Sequence, residues 1–327
     1  MKNRRIVCHE FGPPENLKIE GSSLPSPKEN EVFIRMNSAG VGFVDSLMVQ
    51  GLYQIKPPLP YYPGSEFAGE VVETGETVEN LNIGSKVMGM WRGTYTDYLV
   101  VPAAQCKPIP DSLSIDIAGG FYANYSTAIF GLQNIGNLQE GETILILGAS
   151  GGVGSSAITV AKAMGANVIA AASTQDKLDL AISFGADSGI LYSTQDWRDN
   201  LKKILGNEKL TMVYDPVGGQ VSDPAFRSLS PGGRFLVVGF ASGTIPSIPL
   251  NLTLLKQSAI MGVDWGGAMR SDPDLTPKLQ QTLMEWIERG QLKPAAVSSR
   301  PLSEAPTALK DQIGGNVIGK LVLTGGE

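Results

Sequence analysis

The sequence predicts an α/β protein in which a doubly wound parallel sheet is joined to a β-rich unit. Three observations carry this. The first third of the chain consists of short apolar or alternating runs broken by Gly, Pro, Asn and Ser. Near residue 122 the texture changes to strands and helices in alternation. A glycine-rich loop then stands between a continuous apolar run and a helical stretch. Short, closely spaced strands build a small barrel or a sandwich. Alternating strand and helix build a parallel sheet covered on both faces.

The chain has 327 residues, more than one core usually serves, so two domains are expected. In order, residues 5–8, 17–20, 31–36, 69–72 and 86–90 read as the strands of the first unit. His9, the only histidine, is expected at the end of the first strand and partly buried. Pro57-Pro58-Leu59-Pro60-Tyr61-Tyr62-Pro63-Gly64 must be a loop, because so many prolines cannot supply ladder or helix donors. Residues 123–133 look helical. Thr143-Ile144-Leu145-Ile146-Leu147 is an unbroken apolar run, as expected of a strand buried on both faces. A helix over 155–164, a strand over 167–172, a helix over 175–184 and a strand over 190–192 come next. Then come a helix over 197–205, strands over 212–215 and 234–239, a helix over 277–289 and a last strand over 319–323.

Composition excludes several classes. Hydrophobic residues make up 42% and charged residues 18%, which is globular and not disordered. The net charge of −6, with no basic cluster, argues against nucleic acid and anionic membranes. There is no run of 18 apolar residues for a membrane span and no apolar stretch behind the basic N-terminus for a signal peptide. Cys8 and Cys106 are the only cysteines, which suits a cytoplasmic protein with free, inert thiols. One histidine and two cysteines are too few for a structural zinc site of about four such ligands. The 39 glycines point to tight turns or close backbone approaches to a ligand.

The strand–loop–helix over 143–164 carries the chemistry. In the dinucleotide pattern G-x-G-x-x-G, the three small positions map to Ala149, Gly151 and Gly154. Ser150, Gly152 and Val153 complete the loop, and the N–H groups at the helix start face the phosphates. The next strand ends at Ala172-Ser173-Thr174, where a protein selective for NADH offers a carboxylate. Here Ser173 can hydrogen-bond a 2′-phosphate and Lys177 can pair with it, so NADPH is the expected cofactor. Asp176, next to Lys177, could neutralise it or bond the ribose.

These features have company. Val41-Gly42-Phe43-Val44-Asp45, Gly51-Leu52-Tyr53, Pro63-Gly64-Ser65-Glu66-Phe67-Ala68-Gly69 and Ala149-Ser150-Gly151-Gly152-Val153-Gly154 occur in this order. The set resembles the quinone oxidoreductase (zeta-crystallin-like) branch of the medium-chain dehydrogenase/reductase superfamily, over essentially the whole chain. The resemblance implies a GroES-like β-barrel domain over 1–121, a Rossmann domain over 122–262 and a return segment over 263–327 that completes the first. It implies that Asp45 and Tyr53 line the substrate cleft, with Tyr53 at the position of the proton donor proposed in related enoyl-thioester reductases. It places Thr127 near the nicotinamide ribose, Tyr192 by the adenosine phosphate, and Gly239, Phe240 and Val263 along the nicotinamide pocket. Asn316 matches a further cofactor contact, and relatives often pair as homodimers through their Rossmann domains.

Zinc-dependent relatives carry a Cys near Gly42 and a His after Gly64; here there is no such Cys, and Ser65 stands in the His position. The lobe with four close cysteines is missing too. Without a Lewis acid, reduction of an electron-poor acceptor is favoured over alcohol oxidation. The family commonly has Asn where this chain has Gly42, which leaves the acceptor open. The implied activity is NADPH-dependent reduction of a quinone or enone. Glu66 is expected to be a buried structural partner. An enoyl-thioester reductase and a non-catalytic NADPH-binding protein remain as alternatives.

Overall fold

The computed structural model describes residues 3–325. It divides the chain into two units, one formed by residues up to 123 and from 296 onward, the other by residues 124–295.

The first unit is built on a seven-stranded mixed sheet. Its spine is the long strand Glu31–Val41, which pairs antiparallel with Glu66–Thr74, Tyr98–Pro102 and Lys320–Thr324. Val32, Ile34 and Met36 alternate inward along the strand and are fully buried, the period expected where one face meets a core. Lys86–Met90 and Cys106–Pro108 extend one side, and Val297–Pro301 lies parallel to Lys320–Thr324 on the other. A separate hairpin joins Asn3–Val7 to Lys18–Ser22. His9 falls beyond the first of these strands. Its side chain is exposed and bonded to Glu20, so the expected part-buried strand residue is a surface one.

The second unit holds a six-stranded parallel sheet. Its spatial order is Ser188–Leu191, Asn167–Ala172, Thr143–Leu147, Leu210–Asp215, Arg234–Val237, Ala259–Gly262. This is the doubly wound order of a Rossmann sheet, with its reversal between Thr143–Leu147 and Leu210–Asp215. Every residue of Thr143–Leu147 is buried, as its unbroken apolar sequence requires.

Two further expectations change. The helix expected over 123–133 is Tyr122–Ile129, continued by a π-helical turn, Phe130–Ile135, in which the Gly136 N–H reaches back to Gly131 O. Gly131 permits it, since a Cβ there would stand 3.1 Å from the Tyr214 ring. The return to the first unit begins at 296 rather than 263. Ala259–Gly262 is the sheet's last strand, and residues 263–295 stay with the second unit. The Gln291 amide donates to Ala163 O, and the Ala295 N–H donates to the Tyr125 phenol.

Candidate functional site

The second unit gathers its candidate residues at the carboxyl ends of the strands, beside the point where strand order reverses. Gly148 leaves the Thr143–Leu147 strand with φ +58°. This is the left-handed turn that the sequence pattern assigns to Ala149; Ala149 is instead buried, its N–H on Ala171 O. The missed signal was a glycine placed directly at the strand end. Gly151 opens the Gly152–Ala163 helix, and no side chain caps that end. Gly151, Gly152 and Val153 are half-exposed there, so uncapped N–H groups face outward, while Ser150 is buried. Gly154 packs onto Gly148 O.

At the end of the next strand, Ser173 and Tyr192 meet. The Tyr192 N–H donates to Ala172 O, and burial pushes its phenol up against a hydrogen bond to the Ser173 side chain. Ser173 O accepts from Ser193 Oγ. Lys177 is half-buried one turn into the Gln175–Ser183 helix, and Asp176 is exposed. Gly239 leaves the Arg234–Val237 strand with its N–H toward Asp215 O. Phe240 comes next, 37% exposed, its ring against Gly218. Val263 is buried beside Gly131, with its N–H on Val237 O. Thr127 is half-exposed on Tyr122–Ile129.

Sequence reasoning missed Asp215. It is buried and accepts from the Val217 and Gly218 N–H groups and from Ser222 Oγ at 2.5–2.9 Å. Burial still raises its pKa. It fixes the loop after its strand, with Gly218 and Gly219 both at positive φ. A groove of about 460 Å³ lies beside this loop, lined by Tyr192, Thr194, Trp197, Val217, Gly218 and Ser242.

The first unit holds the remaining candidates. Tyr53 lies half-exposed in the irregular stretch after the Phe43–Val49 helix. Asp45 is not an open cleft residue: it is 2% exposed and serves as the third residue of that helix, accepting the Gly42 N–H and the Tyr95 phenol. Its acidity reflects this site: burial pushes its carboxyl up to about 6, against Lys320 and those two donors. Glu66 is the buried partner expected, taking Lys320 Nζ on one oxygen and the Ala123 N–H on the other. Asn316 is exposed, with its N–H on Asp311 O. No three His, Cys, Asp or Glu side chains among the described residues cluster in a way that could hold a metal ion.

Comparison with known proteins agrees with this layout. The family described as alcohol dehydrogenase GroES-like domain matches residues 28–111, and the family described as zinc-binding dehydrogenase matches residues 152–288. Quinone oxidoreductase-like protein 2 of Rattus norvegicus is 35% identical over 293 residues, 89% of this chain and 83% of that protein. The chain belongs to the quinone oxidoreductase branch of the zinc-free medium-chain dehydrogenase/reductases. Like that branch, it is an oxidoreductase. Human quinone oxidoreductase is 29% identical over 324 residues, 98% of this chain and 97% of that one. The crystal structure of Escherichia coli quinone oxidoreductase complexed with NADPH superposes with a TM-score of 0.84 at 27% identity, covering 98% of this chain and 99% of that one. In this member, the two cysteines lie in the core and supply no ligand pair: Cys8 and Cys106 are both buried and free.

Proposed function

We propose that the protein is an NADPH-dependent reductase whose acceptor is a quinone or another activated α,β-unsaturated carbonyl compound. The observation that carries it is the uncapped helix start at Gly151, where a Cβ would meet only Gly148 O at 3.5 Å, with no carboxylate at the end of the neighbouring strand. These residues fit a dinucleotide: the N–H groups of Gly152 and Val153 meet the pyrophosphate, and Ser173, Lys177 and Tyr192 surround a 2′-phosphate. The groove beside Tyr192 and Val217 suits the adenosine. Thr127, Gly239, Phe240 and Val263 take the nicotinamide end, with Asn316 as a further contact. The NADPH-bound E. coli relative supports this choice of cofactor.

When bound, the nicotinamide supplies hydride. The chain's part is to orient donor and acceptor and to exclude water. Tyr53 stands on the acceptor side, where its phenol can hand a proton to the reduced product. Asp45 acts there only by positioning, since its carboxyl is buried.

We also propose a homodimer formed through the second unit. Ala259–Gly262 is the last strand of its sheet and pairs on one side only, with Arg234–Val237. Leu250, Leu254 and Leu255 nearby in sequence are each more than 70% exposed. No described helix is long and apolar enough to cross a membrane.

The test is an acceptor panel with NADPH and NADH in parallel, covering quinones, enones and enoyl thioesters, on the native protein and on Lys177→Ala. Turnover of 1,4-benzoquinone with NADPH preferred, and a loss of about 1–3 kcal/mol in NADPH binding alone for the variant, is the expected result. Equal use of NADH overturns the cofactor reading. Binding of NADPH without turnover on any acceptor overturns the reductase reading.

A further inference from the structure

We propose that Tyr95 is a positioning residue that makes the backbone entering the Phe43–Val49 helix respond to a proton on Asp45. Three consecutive residues of that backbone are each gripped by a buried side chain. Gly40 O accepts from the Tyr95 phenol at 3.2 Å, Val41 O accepts from Lys320 Nζ at 3.3 Å, and the Gly42 N–H donates to Asp45 Oδ2 at 2.9 Å. The phenol also stands 3.2 Å from Asp45 Oδ2. It therefore faces two acceptors with a single hydrogen.

With Asp45 ionised, either Gly40 O or the carboxylate goes without that hydrogen. With Asp45 protonated, its O–H donates to the Tyr95 oxygen and the phenol donates to Gly40 O, so each group is satisfied. The proton exchanges with water, and no bond between heavy atoms changes. The ionised carboxylate is the stronger acceptor and draws the phenol hydrogen to itself, whereas protonation returns it to Gly40 O, so the protonated arrangement holds Gly40 more firmly.

Burial raises the pKa of the Asp45 carboxyl, and Lys320 and Glu66 act on it with opposite signs, but among its hydrogen-bond partners only Tyr95 can redirect its hydrogen. Glu66, on the Glu66–Thr74 strand, takes the ammonium of Lys320, and among the described residues Asp45 makes no ion pair. The Tyr61 phenol points to Met48 Sδ. Cys8 Sγ points to Glu10 O and Val49 O. On the Ala305–Ile313 helix, Leu309 O accepts from Ser46, while Lys310 and Asp311 pair with Glu15 and Arg300. The carboxyl pushed up to about 6 by burial agrees with a proton retained into this range. The functional consequence rests on reading Tyr53, shortly after this helix, as the acceptor-side residue.

The experiment tracks the thermal midpoint, and kcat and KM for 1,4-benzoquinone with NADPH, between about pH 4.5 and 8. It compares the native protein with Asp45→Asn and Tyr95→Phe. The folded state holds this proton more tightly than the unfolded chain, so the native midpoint falls as pH rises through about 6. Asp45→Asn loses that step, because a carboxamide has no proton to release over this range, while its oxygen still accepts the Gly42 N–H. Tyr95→Phe moves the step upward, because the phenol favours the ionised carboxylate. In the kinetics the step lies in KM. A native protein without the step, or an Asp45→Asn variant that keeps it, overturns the proposal, and a step confined to kcat overturns the positioning role. The midpoints decide it even if no quinone is turned over, so failure of the acceptor reading is separately visible. They also decide it from Asp45→Asn alone if Tyr95→Phe does not fold.

Discussion

Gly154 is pressed against Gly148: a Cβ on Gly154 would stand 2.2 Å from Gly148 O and 2.8 Å from Ala149 Cα. Both neighbours are backbone and cannot rotate away. Gly151 differs, since its Cβ would meet only Gly148 O at 3.5 Å, an ordinary contact. The two glycines therefore fail in different ways. Gly154→Ala forces the helix off the loop and costs about 1–3 kcal/mol of stability. Gly151→Ala leaves the denaturant midpoint nearly unchanged but fills the space open to the pyrophosphate. Its NADPH affinity falls about tenfold or more, roughly 1.4 kcal/mol. Urea unfolding and a fluorescence titration separate the two. Equal stability losses would show that the loop does not divide the roles this way.

The second unit was legible because its signals are local. A continuous apolar run, a glycine loop and a helix fix a strand buried on both faces and a phosphate-facing helix end. The turn residue was displaced by one position, because a sequence pattern shows which residues are small but not which takes positive φ; Gly148 does. Asp215 was hidden for a related reason. Its value comes from two donors of a loop that closes back on it and one from the helix that follows, Ser222–Ser228. The first unit was less legible because its key contacts are distant in sequence. Nothing local tells that Lys320 meets Glu66, or that Tyr95 reaches both Gly40 and Asp45. Motif position alone made Asp45 a cleft residue, and burial makes it a cap.

The Glu66–Lys320 pair gives a sharp stability test. Both side chains are at most 7% exposed, and their contact is 2.7 Å. Removing one partner of a buried pair leaves an uncompensated charge and typically costs about 3–5 kcal/mol. Lys320→Met will destabilise the protein on that scale. Adding Glu66→Gln removes the stranded charge and still lets an amide oxygen accept the Ala123 N–H. The double variant is then more stable than Lys320→Met alone, as measured by urea midpoints. Simple additivity of the two losses would show that the charges do not depend on each other.

The dimer predicts a mass change without loss of fold. Leu254 is 78% exposed and Leu250 76%. Leu250→Asp with Leu254→Asp removes exposed apolar surface and leaves the buried core untouched. Sedimentation velocity then shows a dimer for the native protein and a monomer for the variant, with the same circular dichroism. A native protein that sediments as a monomer at micromolar concentration removes the proposal.

Tyr53 separates the acceptor classes. A quinone that accepts hydride becomes a stabilised hydroquinone anion, which needs little help from an acid. An enoyl thioester becomes an enolate whose carbon must be protonated, and there a placed phenol matters. General acid catalysis typically contributes about 10²–10⁴-fold. Tyr53 is half-exposed in its loop, so Tyr53→Phe keeps the ring and removes only the hydroxyl. On 1,4-benzoquinone the variant loses less than roughly tenfold in kcat, below the range of a true acid catalyst. High native activity on an enoyl thioester, with a loss of roughly a hundredfold or more in the variant, would move the assignment to an enoyl reductase. NADPH affinity stays the same in either case, because the proposed cofactor residues belong elsewhere in the chain. A sharp fall in NADPH affinity for Tyr53→Phe would remove this residue from the acceptor side, and with it the proton donor of both reactions.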